Sequence, residues 1–117
     1  MIKDEKGDSE MKINLTIFIT STIDQKESHR SELVMKTVES TFRPVIGDII
    51  DDPGFDSRFH NGYEVVKVTL NYETDECYVS LQPLVLELEE ISVDEYIDKL
   101  VANNWRIVSI EELMTSI

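Results

Sequence analysis

From Met11 to Thr20 the chain alternates with a period of two. Met11, Ile13, Leu15, Ile17 and Ile19 fall on one side of an extended backbone, and Lys12, Asn14, Thr16, Phe18 and Thr20 on the other. A helix would scatter these apolar positions around its circumference, whereas a strand gathers them on one face. The run therefore predicts a strand with one buried face. Any fold for this chain must supply a sheet and something to cover it.

Two further runs extend the sheet. Tyr63 to Glu73 and Cys77 to Leu88 are rich in Val, Tyr, Leu and Thr, and the short polar connection Thr74-Asp75-Glu76 between them predicts a hairpin. Its first arm is expected to place Val66, Val68 and Leu70 on one face, with Tyr63 and Val65 on the other; Cys77, Val79 and Leu81 line one face of the second arm. Pro83 lacks a ladder donor, so the second arm should bend or lie at an edge there. Residues 32–42 fit two patterns. Val34, Val38 and Phe42 recur every four residues as on a helix, while the Val, Thr and Phe content favours a strand, and composition tips the reading to a strand paired with the first.

Helix signals are local and specific. Ser92-Val-Asp-Glu95 has the pattern of a capping box, in which the Ser92 hydroxyl and the Glu95 carboxylate satisfy orphan amide donors. The helix should run from Ser92 to Asn104, with Val93, Ile97, Leu100 and Val101 as its apolar stripe. A short strand over Trp105 to Ile110 follows, and Ser109 to Glu112 repeats the capping pattern. Residues 24–30 are wholly polar and read as an exposed connection. Residues 1–10 carry too few apolar groups to offset the entropy of ordering them, so a flexible tail is expected before one domain over 11–117. The expected fold is α+β: a curved antiparallel sheet or half-open β-barrel of four to six strands with the C-terminal helix packed on it. Arg43 to Asp51, Gly62 to Val68 and Tyr78 to Pro83 together resemble the strand-loop-strand-strand plan of small half-open β-barrels, a likeness of architecture that implies no activity.

Charge narrows the functional classes. Asp and Glu number 24 against 11 Lys and Arg, a formal net charge of -13. Such a chain repels phosphate, so direct nucleic-acid binding or attachment to an anionic membrane is disfavoured, and a basic protein is the partner its field would attract. Acidity can also serve solubility alone. No apolar run approaches the roughly 20 residues that span a bilayer. The first ten residues lack a signal peptide's apolar stretch, and the lone Cys77 suits a reducing compartment, so a cytoplasmic location is expected.

Candidate sites are few. Asp51, Asp52, Asp56 and His60 share a Pro- and Gly-containing loop and could in principle hold a divalent cation for a small metal-dependent hydrolase, but their spacing matches no calcium or zinc pattern. His29 lies near Ser28 and Ser31 without the strand-turn-helix frame of a nucleophile. Cys77 reads as a buried apolar side chain, with no basic residue flanking it to activate the thiol. Trp105 reads as core. Phe55 and Phe59 either tuck beneath their loop or stand exposed as contact residues. The expectation is a non-catalytic binding or accessory protein without a cofactor, docking on a basic partner as an inhibitor or immunity-type protein does. Its contact residues would be Asp51, Asp52, Phe55, Asp56, Phe59, Glu87, Glu89, Glu90 and Asp94.

Overall fold

The computed structural model describes residues 10–21, 31–55, 62–86, 92–109 and 111. The expected tail over 1–10 lies almost wholly outside them, as do Asp56, Phe59, His60, Glu87, Glu89, Glu90 and the polar connection 24–30. The described elements are β1 (Met11–Ser21), β2 (Glu32–Ser40), β3 (Ile49–Ile50), β4 (Tyr63–Asn71), β5 (Glu76–Leu81), β6 (Leu84–Leu86), α1 (Val93–Ala102) and β7 (Arg106–Val108).

Six strands run in the order β3-β4-β5-β1-β2-β7, and β6 pairs with β1 beyond the end of β5. The sheet is mostly antiparallel and curls into a half-barrel with α1 on its inner face. Residues 32–40 form the strand that composition favoured, antiparallel to β1 from Met11 opposite Ser40 to Ile19 opposite Glu32. The exception to antiparallel pairing is at the centre. There β1 runs parallel to β5, Lys12 to Thr16 against Glu76 to Ser80, and then to β6, Ile19 to Ser21 against Leu84 to Leu86. Parallel neighbours need a long crossover, and here β2, β3 and β4 supply it. Pro83 splits the expected second arm into β5 and β6, because it cannot donate to the ladder at that point.

One register irregularity corrects the expected face of Val66 in β4. A bulge between Val65 and Lys67 shifts the pairing, so Val65 lies opposite Leu81 and Val68 opposite Val79. Val65 is thus fully buried and Val68 packs partly against the core, while Val66 is exposed on the other side; Leu70, opposite Cys77, keeps the face of Val68 as expected but is exposed near the strand end. An extra residue in one strand inverts the alternation beyond it.

The core forms on the inner face. Ile13, Leu15, Ile17 and Ile19 of β1 meet Val79 and Cys77 of β5, Val65 of β4, and Val93, Tyr96, Ile97 and Leu100 of α1. The capping box is present: Glu95 N donates to Ser92 Oγ at 3.1 Å and Ser92 N to Glu95 Oε1 at 3.2 Å. The helical stripe differs from the expected one at one position. Tyr96 is buried where Val101 was expected, and Val101 is 49% exposed. Positions 93, 96, 97 and 100 follow the i, i+3, i+4, i+7 rule more closely than a stripe ending at 101.

The outer face of β1 carries a polar anomaly. Asn14 is 4% exposed, its Oδ1 accepts from Thr37 Oγ1 at 2.6 Å, and among the described residues its Nδ2 has no hydrogen-bond partner. An unsatisfied buried donor costs about 1–3 kcal/mol. Asn14→Val is therefore expected to raise unfolding stability by about 1 kcal/mol, seen as a higher urea midpoint at unchanged slope. A lowered midpoint would mean that the amide donor is satisfied in solution.

Candidate functional site

The loop after β3 holds a polar network on the inner side of the described fold, and Asp52 is its centre. Asp52 Oδ1 accepts from Lys36 Nζ of β2 at 2.8 Å. Its Oδ2 accepts from Trp105 Nε1 at 2.9 Å and from Gly54 N at 2.8 Å. Lys36 lies directly across from Leu15 and so shares the core face of β2. Asp52 follows the strand at one end of the sheet order, while Lys36 and Trp105 belong to or precede the strands at the other. One carboxylate therefore ties the two sides of the half-barrel together.

Beside this latch sits an aromatic plug. The Phe55 ring meets Tyr63 edge-on, with centroids 4.6 Å apart at 85°, and tilts against Trp105 at 5.6 Å and 39°. The Tyr63 and Tyr96 hydroxyls share a 2.8 Å hydrogen bond. Phe55 is buried, so of the two arrangements open to it the loop takes the tucked one, and it presents no contact ring at the surface. Gly54 allows the approach: a Cβ there would lie 3.1 Å from Leu100 Cδ2 and 3.2 Å from Asn103 Cβ.

These positions bear on the sequence candidates. Asp52 is engaged inwardly through both oxygens, and Asp51 Oδ1 accepts from Asp52 N at 2.9 Å. Asp51 is exposed, as is Asp94 in the first turn of α1 beside Glu95. Among the described residues, no three His, Cys, Asp or Glu side chains are grouped to hold a metal ion. Cys77 is buried, and the loss of hydration pushes its thiol pKa up. Arg43, distant in sequence, pulls the other way without overcoming burial.

The stretch 42–49 carries a cluster of large exposed apolar side chains. Phe42, Val45, Ile46 and Ile49 are 58%, 55%, 66% and 61% exposed, and Val66 at the bulge is exposed beside them in the ladder. The stretch is nonetheless held in place. Asp48 N donates to Val45 O at 3.0 Å, Val45 N donates to Asp48 Oδ2 at 3.0 Å, and Gly47 N and Val65 N complete bonds to Val65 O and Asp48 O. Gly47 adopts φ +100°, a conformation that L side chains rarely take. Carboxylates frame the stretch: Asp48 within it, Asp51 just beyond it, and Glu64 across from Ile49. The clue available in the sequence was the density of large apolar groups around a Pro-Val-Ile-Gly-Asp turn.

No known protein family, curated protein or solved structure matches this chain.

Proposed function

We propose that this chain is a non-catalytic binding protein that docks on a basic protein partner, in the manner of an inhibitor or immunity-type protein. The observation that carries this reading is the ordered stretch 42–49, where four large apolar side chains stand more than half exposed beside Asp48, Asp51 and Glu64. Exposed apolar groups within a charged rim are the composition of a contact surface, with aromatic and aliphatic anchors inside and charge around them. The net charge of -13 would speed encounter with a basic surface and make association sensitive to salt, while Phe42, Ile46 and Ile49 would set the lifetime of the complex. The metal-hydrolase alternative would require Asp52 to release Lys36 and Trp105, which weighs against it.

The test is capture from host lysate with the wild type, an Ile46→Ser/Ile49→Ser variant and an Asp94→Asn/Asp98→Asn variant. One basic protein should be retained at moderate salt. The apolar variant should weaken it at least about tenfold, as expected for a lost hot spot, and the charge variant should chiefly slow association. Identical recovery by all three, lost together as salt rises, would leave acidity with a solubility role alone.

A further inference from the structure

The β4–β5 hairpin, at the opposite end of β4 from the exposed stretch, closes over an open cleft of about 280 Å³ lined by Thr69, Leu70, Asn71, Tyr72, Glu73 and Tyr78. The frame of this cleft is braced. Asn71 Oδ1 accepts from Glu73 N at 3.1 Å, Thr74 Oγ1 donates to Glu76 Oε1 at 3.2 Å, and the Tyr78 hydroxyl approaches the same oxygen at 3.5 Å. Asp75 closes the turn at φ 58°. Burial and the neighbouring Glu76 carboxylate both raise the Tyr78 pKa, so its hydroxyl stays protonated.

Against this braced frame two groups are uncommitted. Tyr72 is 82% exposed, and among the described residues neither its ring nor its hydroxyl has a partner; the Glu73 carboxylate has none either. Glu76 Oε1 already accepts from Thr74 and Tyr78, whereas the Glu73 carboxylate is exposed and open to a ligand. An aromatic ring beside a free carboxylate, over a cleft with a second tyrosine in its wall, is chemistry suited to a cation: the ring quadrupole and the carboxylate attract the same charge.

We propose that this cleft binds a compact organic cation, a guanidinium or alkylammonium group, between Tyr72 and Tyr78 with Glu73 as counter-ion. The site stands independently of docking through residues 42–49. Its ligand is either an arginine or lysine side chain of another protein or a free polyamine, and the cleft is shallow enough that an isolated group should bind at about millimolar affinity.

The experiment is a titration of the isotope-labelled protein, followed by amide NMR shifts at constant ionic strength, with N-acetylarginine amide, spermidine and neutral N-acetylglutamine amide. Saturable shifts confined to residues 69–78 with either cation, absent with the neutral amide and weakened at least about fivefold by Tyr72→Ala or Glu73→Gln, are the expected result; the tighter cation names the source. Both substituted side chains are exposed, so the variants should fold. Shifts spread evenly over the acidic surface, or binding indifferent to Tyr72→Ala, would overturn the proposal.

Discussion

Asp52→Ala should destabilise the protein by about 3–5 kcal/mol, the range found when one partner of a buried charge pair is removed. Three donors lose their acceptor at once: the Lys36 amine, the Trp105 indole and the Gly54 amide. Both side chains of the ion pair are largely shielded, at 13% and 8% exposure, so little solvent is available to replace the lost bond. A domain of this size has roughly 5–15 kcal/mol in all, and the loss should lower the melting temperature by more than about 10 °C. The effect belongs to the pair. In a double-mutant cycle, adding Lys36→Met to Asp52→Ala should recover part of the loss, because the orphaned ammonium is removed with its carboxylate. A fall below about 1 kcal/mol for Asp52→Ala, against a typical exposed pair at 0–1 kcal/mol, would show that the latch is open to water.

Phe55→Ala carries the second large effect, also about 3–5 kcal/mol, the usual range for deleting a buried phenylalanine. Its ring fills the space between Tyr63 and Trp105, and the short residues around it, Gly54 and Pro53, cannot expand into the void. Trp105 is the only tryptophan and reports on the site directly. Urea unfolding followed by its fluorescence should show the lowered midpoint, and the folded protein's emission should move to the red as water reaches the indole. Phe55→Leu, which keeps most of the apolar volume, should lose no more than about 1.5 kcal/mol. Equal and small losses for both variants would place Phe55 outside the core.

Local patterns carried much of the fold. Alternation over residues 11–20 located the central strand, Ser92 and Glu95 located the helix start, and Pro83 located the break between β5 and β6, because each signal depends only on near neighbours. Features set by residues distant in sequence were not legible. The Val65–Lys67 bulge is defined by pairing with β5, and nothing in β4 alone marks it. Asp52 read as a loop carboxylate until Lys36, 16 residues away, and Trp105, 53 residues away, converged on it. The exposure of Phe42, Ile46 and Ile49 depends on β3 being a two-residue strand at the end of the sheet order, which apolar content alone suggests less readily than burial.

The parallel pairing at the centre of the sheet also sets an order of assembly. β1 and β2 can meet as soon as both have left the ribosome, being close in sequence. The other edge of β1 has no partner until the chain has been made through β5 and β6; Thr16 and Val79, which share a hydrogen bond across that seam, are 63 residues apart. Contacts of such separation are entropically late and slow folding. During synthesis the strand that carries Ile13, Leu15, Ile17 and Ile19 of the core therefore waits with one edge unpaired, the condition under which strands join the wrong neighbour. Mutual repulsion between chains this acidic lowers the chance that the neighbour is another copy.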